Sequence, residues 1–263
     1  MLKDRVISGF LGAGLVLLVM YSGPVPFLLL ALAASVTGVI EYIGLWESKG
    51  YYPIRWLAIA GTVIFLLLAY AFGSHYYDVF ITFFILVSLA VDILSKNKHR
   101  FVDMLISVFG CLYIGLLFSY LVLIRNLPEA MVYLALVFGG TWFCDIFAYF
   151  VGMKFGSRKL IPAVSPNKTV EGALGGICGS ILAVSTVGIV AGISPVHFIP
   201  LGMAIALAAQ LGDLAESSLK RYTGVKDSGS LIPGHGGILD RCDSLIFAAP
   251  VVYYYIQILI LPM

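Results

Sequence analysis

The stretch GHGGILDRCDSLIFAAPVVYYYIQILIL, from Gly234 to Leu261, begins as a glycine-rich polar loop and continues as an apolar run. An apolar run of about 20 residues is long enough to cross the hydrocarbon core of a bilayer as an α-helix. The same stretch places two carboxylates, those of Asp240 and Asp243, where this helix is expected to begin. It therefore predicts a membrane helix with polar chemistry concentrated at one end.

The composition of the whole chain extends this prediction. Of its 263 residues 60% are hydrophobic and only 11% are charged, against roughly 25% charged in an ordinary soluble domain. With a mean hydropathy of +1.01, the chain has too little polar surface to solvate a globule of this length. We therefore predict an all-α integral membrane protein, a bundle of about nine transmembrane helices. The predicted spans lie near residues 6–22, 24–45, 55–73, 78–94, 101–124, 129–152, 171–193, 195–215 and 241–262.

The positions of lysine and arginine predict the orientation. Cytoplasmic loops of membrane proteins are enriched in these residues. With the N-terminus in the cytoplasm and the C-terminus outside, every lysine and arginine except Arg125 falls on the cytoplasmic side. The two long loops, 153–170 and 216–240, then lie inside as well. We expect a multi-pass protein of the plasma (inner) membrane, with its active site near the cytoplasmic leaflet.

The two halves of the chain differ in how many polar residues interrupt their apolar spans. Residues 1–130 are mostly plain apolar spans and are predicted to form a scaffold, with lipid or dimer contacts as further roles. Residues 131–263 are predicted to form the catalytic region. In the first half, Glu41 and Asp92 are close to predicted cytoplasmic ends, where snorkelling or pairing is favoured over a catalytic role. In the span 171–193, glycines four residues apart favour close helix packing within the bundle, with a homodimer seam as the alternative.

Carboxylates stand out in the second half. Asp145 interrupts an apolar span, where a charge is expensive and commonly faces a polar cavity; pairing with Lys154 is the simpler alternative. Asp213, Ser217 and Lys220 follow one another at helical spacing on one stripe, together with Glu216. Taken alone, this stripe is equally typical of an amphipathic helix end.

Asp240 and Asp243 raise the question of a metal. The N-terminus of a helix stabilises nearby carboxylates, and this accounts for a single aspartate. It does not account for a second acid on the same face, nor for Asp213 and Asp145 at the same membrane side. Mg²⁺ prefers oxygen ligands from a few carboxylates and completes its shell with substrate phosphates. The four aspartates therefore predict one or two Mg²⁺ ions, with a second, monovalent cation left open.

Basic and glycine residues lie in the loops that flank these acids. Lysine and arginine bind anionic oxygens, and glycine lets the backbone approach a ligand without a Cβ in the way. His235 stands between glycines, and phosphate binding or loop positioning is favoured there over an ordinary loop histidine. The predicted phosphate-binding residues are Lys168, Lys220, Arg221, Lys226, Arg241 and His235, with Gly236 and Gly237 beside them.

Carboxylates for a divalent cation and bases for phosphates, at one edge of a lipid-embedded bundle, indicate phosphoryl or nucleotidyl transfer onto a lipid headgroup. An ion-coupled transporter would instead distribute its acids through the depth of the bilayer. A non-catalytic membrane scaffold would leave the acidic and basic clusters unexplained. We expect no nucleic acid partner.

Residues 217–243 also carry a recognisable pattern. It reads Ser217-x-Leu219-Lys220-Arg221, four residues, Lys226-Asp227-x-Gly229-x-x-Ile232-Pro233-x-His235-Gly236-Gly237-x-x-Asp240-Arg241-x-Asp243. This pattern resembles the signature of phosphatidate cytidylyltransferases, also called CDP-diacylglycerol synthases. Upstream, CDIFAYFVGMKFG (144–156) and SPNKTVEG (165–172) are similar to segments of the same family, so that the resemblance covers roughly 139–250.

The resemblance implies a Mg²⁺-dependent enzyme that makes CDP-diacylglycerol and pyrophosphate from CTP and phosphatidic acid. A polyprenol kinase-like enzyme is the nearer alternative. On the cytidylyltransferase interpretation, Asp213, Asp240 and Asp243 hold the cation, with Asp145 in the same pocket. Lys226 and Arg241 act in catalysis. The remaining substrate-binding residues are Asp145, Lys168, Ser217, Lys220, Arg221, His235, Gly236 and Gly237.

Overall fold

The computed structural model describes residues 2–95, 100–229 and 236–261, and nearly all of them are helical. Within these ranges there are ten α-helices: α1 (Leu2–Ser22), α2 (Pro24–Ser48), α3 (Arg55–Phe72), α4 (Tyr77–Leu94), α5 (Phe101–Gly110), α6 (Leu117–Arg125), α7 (Ala130–Phe155), α8 (Val170–Ala191), α9 (Phe198–Thr223) and α10 (Leu239–Tyr255). A π-helical turn, Cys111–Leu116, joins α5 to α6, and a second one, Ile256–Ile260, extends α10.

The lengths of these helices confirm the predicted class. Within the described ranges, eight helices are long and apolar enough to cross a membrane, and they correspond to the second to ninth predicted spans. The first predicted span corresponds to α1, whose apolar part is the shorter segment Leu11–Ser22. The protein is thus a multi-pass helical membrane protein.

One element departs from the all-α prediction. In the loop 153–170, β1 (Lys159–Ile161) pairs with β2 (Ser165–Thr169) in an antiparallel hairpin, with Lys159 opposite Thr169. The strands are only three and five residues long, too short to show a period-2 pattern that a sequence reading could detect. The all-α class is nevertheless confirmed, because nearly all of the described residues are helical.

The chain forms two units, each with its own packing. The first comprises Met1–Asn126 together with Tyr222–Arg241, and the second comprises Leu127–Arg221 together with Cys242–Met263. The loop after α9 and the first turn of α10 thus belong with the N-terminal helices. The rest of α10 belongs with α7, α8 and α9.

In the first unit, the core is built where glycines admit large side chains. A Cβ on Gly110 would lie 2.6 Å from the ring of Tyr42, and one on Gly115 would lie 2.7 Å from the backbone of Thr62. Tyr42 is fully buried and donates a hydrogen bond to the carbonyl of Ile106. Gly110 immediately precedes the π-helical turn and Gly115 lies within it, so that α2 and α3 can approach the chain closely there.

In the second unit, α8 packs against α7 along its glycines. A Cβ on Gly175 would lie 2.6 Å from the side chain of Val151, and one on Gly179 would lie 2.6 Å from the carbonyl oxygen of Phe143. Gly172 approaches the carbonyl oxygen of Ala148 in the same way. The predicted close packing of this helix within the bundle is confirmed.

Candidate active site

Gly212 brings two helices of the second unit together at the point where the acids lie. A Cβ on Gly212 of α9 would collide with the carbonyl oxygen of Asp243 on α10. Because the backbones are this close, the residue after Gly212, which is Asp213, lies next to Asp243. The convergence of these two predicted site residues thus depends on a glycine outside the predicted set.

Asp243 lies at the centre of an acidic group. Its side chain interacts electrostatically with Asp213 and Asp145, and the carboxyl group of Glu216 lies beside it. Only 8% of the surface of Asp243 is exposed, and Glu216 is fully buried. We call these four residues, Asp145, Asp213, Glu216 and Asp243, the carboxylate cluster. Carboxylates held this close repel one another unless a proton or a cation lies among them.

Two lysines of the second unit are bound to this cluster. The Nζ atom of Lys168 lies 2.5 Å from Oδ2 of Asp213, and Nζ of Lys220 lies 2.9 Å from Oε2 of Glu216. Ser217 Oγ donates to Oδ1 of Asp213 at 3.3 Å. The stripe on α9 is therefore part of the site, and these lysines offset some of its negative charge.

The β1–β2 hairpin explains how Lys168 reaches the cluster. Lys168 is in β2, immediately before α8, whose N-terminus is capped by Thr169 Oγ1 accepting from the Gly172 N–H at 3.1 Å. Glu171 accepts hydrogen bonds from the backbone N–H and hydroxyl of Ser157, which holds the start of the loop. Arg221 donates from Nε to the carbonyl of Val164 in the hairpin turn at 3.3 Å.

Within the described residues, no three aspartate, glutamate, histidine or cysteine side chains form a ready-made set of metal ligands. In the chain as it stands, oxygens of Asp213 and Glu216 are turned toward lysines. The donors themselves are carboxylate oxygens, the type of ligand that Mg²⁺ prefers. The chemistry of the cluster therefore fits a magnesium ion.

Asp240 belongs to the first unit, where it binds the described part of the segment between α9 and α10, residues 224–229 and 236–238, which we call the glycine-rich loop. Its Oδ2 accepts hydrogen bonds from the backbone N–H and hydroxyl of Ser228, both at 2.9 Å, and from the N–H of Gly237 at 2.8 Å. Gly236 has a φ of +83°, and a Cβ there would lie 2.6 Å from the same oxygen. Gly236 is thus required by backbone conformation and by the approach of Asp240.

The remaining predicted site residues are either exposed or lie outside the described residues. Lys226 and Arg241 have exposed side chains, and Asp145 of the second unit is exposed as well. His235 lies outside the described residues, so its predicted role stays a prediction.

Two acids with partners in the structure, Glu216 and Glu41, are absent from the site residues predicted from the sequence. Glu216 lies on the stripe that starts at Asp213, and its spacing of three residues was a signal for including it. Glu41 of α2 accepts three hydrogen bonds from the glycine-rich loop of the first unit. Its signal was an acid inside an apolar span, which is costly unless the carboxylate has partners.

Fold and site together define a multi-pass membrane protein whose second unit pairs carboxylates of α9 with lysines. Comparison with known proteins narrows this class. Residues 3–259 match the model of the cytidylyltransferase family. The chain belongs to the cytidylyltransferase family and is a nucleotidyltransferase. The resemblance carried by residues 217–243 is thereby confirmed.

Relatives with the name phosphatidate cytidylyltransferase cover nearly the whole chain. The one from Bacillus subtilis (strain 168) is 34% identical over 270 residues, which cover 98% of both proteins. The one from Staphylococcus saprophyticus is 36% identical over 224 residues, 81% of this chain and 85% of the relative. One from Staphylococcus epidermidis is 33% identical over 256 residues, 95% of this chain and 97% of the relative.

Proposed function

We propose that this protein transfers a cytidylyl group from CTP to phosphatidic acid, giving CDP-diacylglycerol and pyrophosphate in phospholipid biosynthesis. The observation that carries the proposal is the carboxylate cluster with Lys168 and Lys220, in a membrane-embedded chain of the cytidylyltransferase family. A lipid substrate suits helices that lie in the bilayer. A nucleoside triphosphate suits acids that bind a divalent cation and lysines that bind phosphates.

The reaction needs no nucleophile from the protein. A phosphate oxygen of the lipid forms a bond to the α-phosphorus of CTP, while the bond from this phosphorus to the bridging oxygen of the β-phosphate breaks. Pyrophosphate leaves with the electron pair of that bond. Because the lipid phosphate is already ionised near neutral pH, it does not need to be deprotonated by a side chain.

The residues of the second unit have distinct roles in this proposal. Asp213, Asp243 and Asp145 would hold Mg²⁺, with Glu216 beside them. The ion would neutralise phosphate charge that develops on the leaving group. Lys168 and Lys220 supply point charges for anionic oxygens, and Ser217 and Arg221 hold Asp213 and the hairpin in place. The exposed Lys226 and Arg241 are proposed to bind phosphates, while Asp240, a predicted ligand, is proposed to act through the glycine-rich loop.

The orientation completes the proposal. CTP is a cytoplasmic nucleotide, and the enrichment of lysine and arginine in loops 153–170 and 216–240 favours a cytoplasmic position for them. We therefore propose a plasma-membrane enzyme that acts at its inner leaflet.

The test is an assay with purified protein, CTP labelled at the α-phosphate, and phosphatidic acid in mixed micelles. We expect the label to enter the lipid and pyrophosphate to be released, both dependent on Mg²⁺. Labelled CDP without labelled lipid would indicate a lipid kinase and would contradict the proposal. Omission of phosphatidic acid is the control for hydrolysis of CTP.

A further inference from the structure

Glu41 is bound to a part of the chain nearly 200 residues away. Its Oε1 accepts a hydrogen bond from the N–H of Ile238 at 2.9 Å, and its Oε2 accepts one from the N–H of Leu239 at 2.8 Å. The hydroxyl of Ser228 lies 3.2 Å from Oε2 as well. Glu41 is in α2, a helix of membrane-spanning length, where a carboxylate without partners is costly. The hydrogen bonds from the loop offset this cost.

Two of these donors lie at the start of α10. The first N–H groups of a helix have no partner within the helix, and a buried helix end needs acceptors from elsewhere. A negative charge there also interacts favourably with the helix dipole. Glu41 therefore caps α10 at Ile238 and Leu239, although the cap comes from another helix.

The glycines of the loop leave the space that Glu41 takes. A Cβ on Gly237 would collide with Oε2 of Glu41 and with the hydroxyl of Ser228, and one on Gly229 would lie 2.6 Å from Oε1. Residues with side chains at these two positions would push the carboxylate away. The absence of side chains at Gly229 and Gly237 thus makes room for the carboxylate of Glu41.

Ser228 connects Glu41 to Asp240. Its hydroxyl lies 2.9 Å from Oδ2 of Asp240 and 3.2 Å from Oε2 of Glu41. Asp240 holds the loop through Ser228 and Gly237, while Glu41 holds it through Ile238 and Leu239. Together the two carboxylates accept hydrogen bonds from the backbone N–H groups of Ser228, Gly237, Ile238 and Leu239.

We propose that Glu41 is a positioning residue of the enzyme, which sets the glycine-rich loop and the first turn of α10 in the conformation needed for catalysis. This inference rests on the proposed function, because it takes Asp240 and Arg241 as part of the substrate-binding machinery. It gives the N-terminal helices a part in the reaction beyond that of a scaffold.

The experiment compares E41A, E41Q and E47A with the wild-type protein. Glu47 is a matched control, because it lies on the same helix and pairs with Arg55 at 2.6 Å. Amide hydrogen exchange is followed for peptides that cover 228–241, and steady-state kinetics are measured with CTP and phosphatidic acid. The exchange arm needs no assumption about the reaction.

We expect E41A to accelerate exchange at Ile238 and Leu239, to raise the KM for CTP, and to lower kcat/KM on the order of 100-fold, the size expected when hydrogen bonds to a charged group are lost. E41Q keeps the volume and one acceptor oxygen, so it should fall between E41A and wild type. E47A should match wild type in both arms.

Three results would overturn the inference. The first is unchanged loop exchange and unchanged kinetics in E41A and E41Q. The second is a fall in kcat with an unchanged KM for CTP in E41Q and a parallel fall in Tm, which indicates a stability role alone. The third is an equal effect of E47A. Failure of the wild-type protein to label lipid would instead reject the proposed reaction, and the exchange arm would still show whether Glu41 holds the loop.

Discussion

Asp243 is largely buried beside Glu216, and it interacts with the charges of Asp213 and Asp145. Like charges brought together in a buried site cost free energy unless they are neutralised. A bound cation would offset that cost. We therefore propose that Asp213 of α9 and Asp243 of α10 bind a cation.

The first prediction concerns this aspartate. Asp243→Asn keeps the size of the side chain and an oxygen that can accept from the Ser244 N–H, a bond of 2.6 Å in the structure. The protein should fold, but its turnover should fall on the order of 10²–10³-fold, as expected for loss of a preorganised electrostatic group. The measurement is incorporation of labelled CTP into lipid over a range of Mg²⁺ concentrations.

Asp78→Asn is the matched control for this substitution, because Asp78 lies in the first turn of α4, outside the carboxylate cluster. It should retain wild-type turnover. Near-wild-type turnover of Asp243→Asn at ample Mg²⁺ would show that the cluster does not bind the catalytic cation.

A second prediction separates the two roles of Lys168. Its ammonium group binds Asp213, and in the proposed reaction it also attracts phosphate oxygens. Lys168→Met removes the charge and keeps most of the aliphatic chain. The KM for CTP should rise about tenfold or more, which corresponds to roughly 1.4 kcal/mol. The Mg²⁺ concentration for half-maximal activity should fall, since the lysine no longer competes for Asp213.

Both constants are obtained from initial rates in the lipid-labelling assay. Lys154→Met, a change to an exposed lysine in the last turn of α7, serves as the control and should leave both constants unchanged. A variant at Lys168 with an unaltered KM for CTP and an unaltered Mg²⁺ requirement would remove this residue from the site.

At the scale of elements, close contacts at glycine determine which helices meet. Gly212 sets α9 against α10 beside Asp213 and Asp243, and Gly175 sets α8 against α7. Without water between helices, association in a bilayer depends on packing and on polar contacts, and small residues allow both. The short β1–β2 hairpin has a different role, because it places Lys168 of the loop 153–170 against Asp213.

A third prediction tests the seam between α7 and α8. Gly175→Leu places a Cβ within 2.6 Å of Val151, so the helices must move apart. Overpacking of this kind costs about 1–3 kcal/mol, and the Tm in detergent should fall. Gly44→Leu is the control, because nothing lies within 4 Å of a Cβ there. Equal stability of the two variants would show that α8 does not depend on this contact.

At the scale of the whole molecule, the distribution of charge predicts which face meets the cytoplasm. Arg125 is the exception among the lysines and arginines when the N-terminus is placed inside. Single cysteines in a cysteine-free background, labelled with a membrane-impermeant maleimide in intact cells, test this prediction. Ser74→Cys should react from outside, and Lys154→Cys should react only after the membrane is opened. The reverse pattern would invert the topology and place the carboxylate cluster at the outer leaflet.

Local features of the sequence were sufficient for much of this protein. Hydropathy predicts the spans because a membrane helix must be apolar over its own length, and the family resemblance was visible in the ordered residue types of 217–243. Asp145 is predicted because a charge inside an apolar span is costly, Asp213 because it shares a helical stripe with Ser217 and Lys220, and Asp243 because one helix N-terminus accounts for only one acid. Each of these signals lies within one segment of about 30 residues or fewer.

Only the tertiary structure decided which polar residues bind one another. It binds Lys168 to Asp213, puts Glu216 beside Asp243, and surrounds Oδ2 of Asp240 with donors from its own loop. It also brings Glu41 to Ile238, 197 residues along the chain. Such partners depend on which helix faces pack together, and hydropathy and spacing within single segments carry no information about that.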